Sequence, residues 1–216
     1  KVKKLAKKWF ASIPKRDIVD AHLPTEKKQT KKRTCTIERD VPSHAIYKVY
    51  HMCGRFYQDF YATDLLSDIL SNGKSARLYT ELVQKQKIFS GLNAFVTGEI
   101  DPGLFVISGN VMPGYSIDEA ERAIDFETEK LSTEMVAEYE LQKVKNKVES
   151  TIIFSETSIL QKAMNLARFE LLHHSNMLNH EVEKYAAVNP HDINRVAQSV
   201  FHSQNESTLY YISKTI

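Results

Sequence analysis

Histidine and acidic residues are the first candidates for chemistry, because together they can bind zinc and supply a general base. The nearest approach to a pair of zinc ligands on one helix is His180-Glu181-Val182-Glu183-Lys184. On a helix, side chains at positions i and i+4 lie on one face and can share a metal ion. The i+4 residue here is Lys184, whose ammonium group repels Zn²⁺ and cannot coordinate it. We therefore interpret this segment as the polar start of a helix, and no His-x-x-Glu-His occurs in the chain.

Nucleophilic catalysis requires a Ser or Cys side chain beside a positioned His. Cys53 precedes a glycine, and His51 lies two residues before it on a predicted strand. Side chains at that spacing share a face but stand about 7 Å apart, so they seldom pair. Ser150, Ser155 and Ser158 occur in a helical stretch without a glycine elbow, and the chain has no glycine-rich phosphate loop. The sequence therefore predicts no catalytic residue in this chain.

Composition indicates one well-buried globular core. The chain has 216 residues, of which 42% are apolar, and it lacks an apolar run of the roughly 18 residues that span a bilayer. Its two cysteines, Cys35 and Cys53, are too few for a zinc-binding cysteine cluster. We expect two ordinary thiols, although a disulfide stays open while the strand pairing is unknown. The chain begins with Lys1 and has no secretory signal, so it looks cut from something longer and its compartment is undetermined.

Basic residues concentrate near the N-terminus. Residues 1–33 hold 12 Lys and Arg against 3 Asp and Glu, whereas the remaining residues hold 17 against 24. A basic arm beside an acidic body can bind nucleic acid. However, the run around Lys27, Lys28 and residues 31–33 has no aromatic residues interleaved. A solvated linker is therefore the preferred interpretation, and nucleic-acid binding the less favoured one.

The N-terminal residues predict a helix followed by a linker. Apolar residues on one stripe and lysines on the other predict a helix over residues 2–10, which ends before Ile13-Pro14. Such a short helix is unstable alone, so we expect it to dock on a neighbouring domain. Residues 15–33 are polar and charged and predict an interdomain linker. We thus expect residues 1–14 to close a preceding, missing domain and residues 34–216 to form a compact domain.

Strands dominate the early part of the compact domain. Alternation and turn signals predict strands at 34–39, 44–52, 91–98, 103–112 and 208–213. Asp101-Pro102-Gly103 predicts a hairpin between the third and fourth of these strands. The second strand has two alternating sets of residues, which indicates one buried face. They are Ile46, Lys48 and Tyr50 on one side and Ala45, Tyr47 and Val49 on the other.

Helices dominate the later part. Apolar periodicity predicts helices at 58–71, 75–87, 116–131, 179–187 and 190–201, and a long helical stretch that begins at Thr133 and breaks near 155–157. Ser116 with Glu119 forms a capping box, and Asn189 precedes a first-turn proline. The order of elements predicts an α+β fold, a mainly antiparallel sheet with helices packed on one face.

Three longer stretches match a known pattern of motifs. Leu65 to Phe105 reads LLSDILSNGKSARLYTELVQKQKIFSGLNAFVTGEIDPGLF, Leu141 to Val148 reads LQKVKNKV, and Val188 to Ile193 reads VNPHDI. At the N-terminus, a helix runs into Lys-Trp-Phe-x-x-Ile-Pro, as at the close of a preceding domain. In order and spacing, these motifs resemble the C-terminal domain of the pitrilysin/insulinase/mitochondrial processing peptidase family of zinc proteases. The resemblance covers nearly all of residues 1–216.

The resemblance implies that the chemistry lies on another domain. In this family His-x-x-Glu-His belongs to the N-terminal domain, while an Arg and a Tyr in Leu-Arg-x-x-x-Gly-Leu-x-Tyr reach across and hold the substrate. Alignment with Leu82 to Phe95 places Val83 at the Arg, Lys87 at the Gly and Ser90 at the Tyr. Val83 cannot donate a hydrogen bond, and Ser90 is too short to replace a phenol. These two substrate-facing positions therefore lack the Arg and the Tyr that hold the substrate in the family.

The resemblance implies a non-catalytic, chamber-forming half of a zinc-dependent metalloendopeptidase that acts on peptides. Zinc is expected on the missing N-terminal domain and not in this chain, which alone is predicted inactive. The implied partners are that peptidase domain, on the same or another chain, a peptide substrate that adds to an exposed sheet edge, and further subunits of an oligomer, without a membrane. The alternative, favoured by Val83 and Ser90, is an inactive scaffold or partner subunit of the same fold, as in core subunits of respiratory complexes.

Overall fold

A computed structural model describes residues 1–16, 24, 26–98, 100–172 and 174–214. The strands are β1 (Arg33–Arg39), β2 (Ala45–Met52), β3 (Phe89–Val96), β4 (Gly103–Val111) and β5 (Glu206–Ser213). The α-helices are α1 (Val2–Phe10), α2 (Asp59–Ser71), α3 (Ile117–Thr133), α4 (Glu138–Ser155), α5 (Ile159–Leu172), α6 (Glu181–Ala187) and α7 (Pro190–Val200). A π-helical segment spans Tyr79–Lys85, and 3₁₀ segments span Ser175–His180 and Ser203–Asn205.

The five strands form one mixed sheet in the order β1-β5-β2-β4-β3. β2 pairs antiparallel with both β4 and β5, and β3 pairs antiparallel with β4, whereas β1 pairs parallel with β5. The prediction of a mainly antiparallel sheet is confirmed, as is the hairpin between β3 and β4. β5 lies between β1 and β2, so β1 is joined to the rest of the sheet only through β5.

One face of the sheet forms the hydrophobic core. Ile46, Tyr50, Phe105 and Ile107 on this face are almost fully buried. They lie beneath α2, which packs on β3, and beneath α3 and α7, which pack on β2. Each such side chain contributes roughly 1.5–3 kcal/mol when it leaves water. The prediction that helices cover one face is therefore confirmed.

The predicted helix starts at 116 and 190 are confirmed by their caps. Ser116 accepts a hydrogen bond from the Glu119 N–H, and the Glu119 carboxylate accepts from the Ser116 N–H. Asn189 and Asp192 form the same reciprocal pair at the start of α7. Both boxes satisfy N–H groups that the first helical turn leaves without partners.

The prediction of a helix beginning at Thr133 is wrong. Thr133 is the last residue of α3, and α4 begins only at Glu138. Glu134 is extended, and Val136 in the connection is almost completely buried. Burial of that side chain outweighs the local preference for continuing the helix. The predicted break near 155–157 is confirmed, since α4 ends at Ser155.

The prediction of an interdomain linker falls partly outside the described residues, since 17–23 and 25 are not among them. The end of this segment is bound to the domain. The Gln29 side-chain amide donates to the Glu206 carbonyl oxygen at 2.6 Å and accepts from Ser207. Lys32 forms ion pairs with Glu121 at 2.9 Å and with Glu206 at 2.7 Å. Part of the basic charge is therefore used to hold the segment against β5 and α3.

A buried lysine lies at the centre of the same cluster. Lys48 on β2 is 0% exposed, and its ammonium group forms ion pairs with Glu121 at 3.2 Å, Glu206 at 3.0 Å and Asp125. Burial opposes ionisation of Glu206, but its hydrogen bonds from Lys32 and Lys48 hold the pKa of that carboxyl below its usual value. The cluster joins the sheet and α3 by charge, beside the apolar side chains of the core.

Candidate functional site: the open face of the sheet

The second face of the sheet is exposed to solvent. Directly opposed residues on neighbouring strands share a face. One row crosses all five strands through Asn93, Ser108, Tyr47, Leu209 and Cys35. This row and its neighbours form a continuous surface, which we call the open face.

The open face carries exposed aromatic and aliphatic side chains among polar ones. Tyr47 is 40% exposed, Phe95 47% and Leu104 37%. The neighbouring row runs through Phe95, Val106, Val49, Ser207 and Arg33. The described strand positions on this face carry no Asp or Glu. An apolar strand surface left in water is typical of a binding surface.

The outer edge of β3 is closed by a side chain of α2. Ser71 at the end of α2 donates its hydroxyl to the Ala94 carbonyl oxygen at 2.8 Å and accepts from the Ala94 N–H at 2.7 Å. The hydroxyl thus uses the backbone groups that another strand would pair with. Near the start of β3, the register shifts between Phe89 and Gly91, which further interrupts the edge.

The structure places the two predicted substrate-facing residues in different surroundings. Val83 lies in the π-helical segment, is half-buried and packs against the hydrophobic core. Ser90 lies on β3, is exposed, and donates its hydroxyl to the Asn110 carbonyl oxygen at 3.3 Å. Neither side chain offers the charge or reach of an Arg or a Tyr, and the roles of these positions stay predictions.

Lys87, between these two positions, has an unusual backbone conformation. Its φ is 58°, and it is the only non-glycine residue with positive φ in the described part of the chain. This left-handed conformation suits glycine because a Cβ atom crowds the following carbonyl oxygen. A glycine at this position would adopt the same conformation without that crowding.

Two cavities in the helix layer were a second candidate for a site. They measure about 410 and 320 Å³ and lie on either side of the ion pair between Arg55 and Glu181. The Tyr61 hydroxyl donates to Glu181 at 2.9 Å, and Lys184 donates to that hydroxyl at 3.1 Å. The Arg55 guanidinium also lies 4.6 Å above the Phe60 ring. These groups are bonded to one another, so we assign the network to stability of the helix layer.

The near-match to a zinc motif is part of this network. Glu181 is 4% exposed and pairs with Arg55, while His180 contacts Glu183 at 2.9 Å. Glu181 begins α6, as the interpretation of a polar helix start expected. Within the described ranges, no three His, Cys, Asp or Glu side chains are grouped as a metal site requires. Cys35 and Cys53 are free thiols.

No helix among the described residues is both long enough and apolar enough to cross a bilayer.

Comparison with known proteins assigns the family. Residues 1–148 match the model of the family described as the peptidase M16 inactive domain. The chain belongs to this family. The M16 domain is also 26% identical over 215 residues to the zinc protease PqqE of Helicobacter pylori, covering 97% of this chain and 48% of that protein. It thus spans about half the length of this curated relative.

Solved structures share the fold of the M16 domain. A protease from Helicobacter pylori superimposes with a TM-score of 0.87 at 24% identity, covering 98% of this chain and 52% of that one. The peptidase M16 inactive domain from Pseudomonas fluorescens gives a TM-score of 0.79 at 17% identity, covering 99% and 50%. The expectation of an M16-type α+β domain is thus confirmed.

Sequence reasoning missed the open face, although a signal for it exists. β2 carries Tyr47 and Val49 on the face opposite Ile46 and Tyr50, and β4 carries Leu104 and Val106 opposite Phe105. Strands that are apolar on both faces are typical of sheets covered on both sides. In the M16 domain, helices cover one of these faces.

Proposed function

We propose that this chain is the non-catalytic, chamber-forming half of a zinc-dependent metalloendopeptidase acting on peptides. The family assignment to an inactive peptidase domain supports the first part of the proposal. A relative of about twice the length that is named a zinc protease supports the second part. The zinc-bearing N-terminal domain would be supplied by the same or another chain.

The open face is the observation that carries the proposal. Its exposed Tyr47, Phe95 and Leu104 side chains present apolar surface of the kind that a chamber wall needs. Aromatic and aliphatic side chains bind the side chains of an extended peptide through apolar contact. Such a wall would bury peptide surface and exclude water from the space between the two halves.

The N-terminal helix provides independent support for a neighbouring domain. α1 has no buried residue, and Trp9 is 64% exposed. Val2, Leu5 and Trp9 lie on one stripe at helical spacing, with lysines on the other side. A nine-residue helix gains most of its stability from the burial of such a stripe. We infer that the preceding domain covers it.

In the proposed enzyme, bond cleavage depends on the other half. Zinc bound there would supply an activated water and polarise the peptide carbonyl. This chain's contribution would be to hold and enclose the peptide. Because Val83 and Ser90 cannot replace the family's Arg and Tyr, those groups would come from a second subunit, which supports an oligomer.

Metal analysis and a cleavage assay on the purified chain test the proposal. We expect less than stoichiometric zinc by inductively coupled plasma mass spectrometry after dialysis. We also expect no chelator-sensitive cleavage of a quenched fluorescent peptide library. Zinc retained at one equivalent per chain, or metal-dependent turnover by the chain alone, would refute it.

The second candidate is an inactive scaffold or partner subunit of the same fold. The replacement of the family's substrate-holding Arg and Tyr by Val83 and Ser90 favours this function. The two candidates differ in the preceding domain. An intact His-x-x-Glu-His in that domain, with zinc-dependent cleavage by the full-length protein, would support the peptidase. Absence of the motif would support the scaffold.

A further inference from the structure

We propose that the outer edge of β1 is a binding site for an extended peptide, which adds to the sheet as a sixth strand. The inference rests on the proposed function only for the identity of the ligand as a peptide. The site itself follows from the geometry of β1, and it lies at the opposite end of the sheet from Val83 and Ser90.

The backbone of β1 has one set of polar groups directed outward. The Lys214 N–H donates to the Arg39 carbonyl oxygen at 3.0 Å, so the polar backbone groups of Arg39 point toward β5. In a strand, this direction alternates from residue to residue. The backbone groups of Ile37 and Cys35 therefore also point toward β5, while the N–H and C=O groups of Thr34, Thr36 and Glu38 point away from the sheet. The Glu38 carbonyl oxygen accepts a hydrogen bond from the Arg39 guanidinium at 2.9 Å, so a peptide would compete with that exposed side chain at one end of the strand.

The side chains of β1 are accessible on both faces. All seven residues from Arg33 to Arg39 are exposed except Ile37, which is half-buried. The helix layer that covers β2 and β4 does not extend over this strand. A long exposed edge of this kind is a template for another strand.

The other edge of the sheet differs. On β3, the Ser71 hydroxyl occupies both backbone groups of Ala94, and the register shift after Phe89 interrupts pairing. A peptide that pairs along β3 would have to displace this hydroxyl. In the described part of the chain, β1 is therefore the better edge for strand addition.

The charges of β1 favour a foreign peptide over a second copy of this chain. Antiparallel self-pairing centred on Thr36 would place Arg33 of one copy opposite Arg39 of the other, and the reverse at the far end. Like charges directly opposite each other destabilise a strand pair. A peptide with an acidic residue at each end would instead pair with both arginines.

The side chains of β1 also define the middle of that peptide. Cys35 and Ile37 lie on the open face, where β-branched or aliphatic partners would pack, and Glu38 on the other face favours a basic partner. The matching class of ligand is an extended peptide with acidic ends and a β-branched centre. The heptapeptide Glu-Lys-Val-Thr-Val-Thr-Glu, running antiparallel to β1, meets each requirement.

The experiment uses this heptapeptide with a fluorescein label and the purified full chain. Fluorescence anisotropy gives the affinity, and ¹⁵N amide shifts give the location. We expect the largest shifts at Thr34, Thr36 and Glu38. We also expect about tenfold weaker binding to Thr36→Pro, because proline removes an outward N–H and leaves the bonds to β5 in place. Thr36→Val keeps that N–H and should bind within about twofold of the unmodified chain.

A charge swap keeps the test decisive if Thr36→Pro does not fold. Arg33→Glu combined with Arg39→Glu should weaken the acidic-ended peptide and strengthen one with lysine at both ends. Equal binding to the proline and valine variants, or shifts that map to β3, would overturn the proposal. So would the absence of binding, or protection of the β1 amides by dimerisation of the unliganded chain. Neither zinc nor cleavage enters this measurement, so its failure is separate from failure of the proposed function.

Discussion

The Ser71 hydroxyl bridges both backbone groups of Ala94, with distances of 2.8 Å to the carbonyl oxygen and 2.7 Å to the nitrogen. One side chain at the end of α2 thus takes the place of a neighbouring strand at the edge of the sheet. The contact joins the helix layer to the strand farthest from β1.

Replacement of Ser71 by alanine should open this edge. Two hydrogen bonds are lost, so we expect the free energy of unfolding in urea to fall by about 1–2 kcal/mol. The Ala94 amide should exchange with solvent faster. Ser67→Ala is the matched control, because that hydroxyl donates only within α2, to the Asp64 carbonyl oxygen at 2.8 Å. If Ala94 is equally protected in both variants, the bridge does not close the edge.

Replacement of Lys48 by methionine should strongly destabilise the domain. The fully buried ammonium is paired with three carboxylates. Its removal leaves Glu121 and Glu206 with Lys32 as a partner and takes away the ion pair of Asp125. Breaking a buried ion pair from one side costs about 3–5 kcal/mol. Lys32→Met, whose side chain is 38% exposed, should cost less than about 1 kcal/mol. Equal losses of unfolding free energy in urea would contradict the assigned difference in burial.

Replacement of Lys87 by glycine should stabilise the domain. The φ of 58° is strained for a lysine and accessible to glycine, although glycine also increases the entropy of the unfolded chain. We expect a net gain of up to about 1 kcal/mol in thermal or urea unfolding. Gln84→Gly, an exposed residue of the π-helical segment, should lose about 1 kcal/mol instead. A loss in both variants would show that Lys87 makes a contact that outweighs its strain.

Replacement of Asp68 by asparagine should change how stability depends on pH. Burial raises the pKa of Asp68 to about 6, from an ordinary value of 3.8. The folded state therefore binds this proton more tightly, and ionisation between about pH 4 and 6 destabilises it as pH rises. The variant should be more stable than the unmodified chain by up to about 1 kcal/mol at neutral pH, after allowance for partial exposure.

The difference between this variant and the unmodified chain should vanish below about pH 3, where the carboxyl is protonated in both states because even the ordinary pKa of 3.8 lies above that pH. Urea unfolding at both pH values measures it. Glu149→Gln, an exposed position on α4, is the control and should give the same small difference at each pH. An Asp68→Asn effect that does not depend on pH would point to packing rather than to ionisation.

Local features of this chain could be predicted from sequence because the atoms that decide them are close along the chain. The capping pair of Ser116 and Glu119 is separated by three residues, and its geometry is that of any helix start. The hairpin at Asp101-Pro102-Gly103 depends on turn chemistry within a few residues. The motif order likewise indicated the C-terminal domain of the pitrilysin/insulinase/mitochondrial processing peptidase family, and the match of residues 1–148 to the peptidase M16 inactive domain confirmed it.

Features that depend on distant partners could not be predicted in the same way. Alternation in β2 separated Lys48 from Tyr47, but it did not indicate that the lysine is buried and the tyrosine exposed. That outcome requires Glu121 and Glu206, which lie far along the chain and neutralise the lysine only in the folded domain. No contact within the described residues tests the predicted roles of Val83 and Ser90, so these roles stay predictions.

By itself, the sequence determined the element types, most of their boundaries, the family and the lack of a His-x-x-Glu-His motif in this chain. The tertiary structure alone decided the strand order, with β5 between β1 and β2, and therefore which side chains share the open face. The physical reason is that the alternation of side chains along a strand defines two faces but does not decide which of them is buried. Helices α2, α3 and α7 cover one face and leave the other exposed, and only their packing decides which face that is.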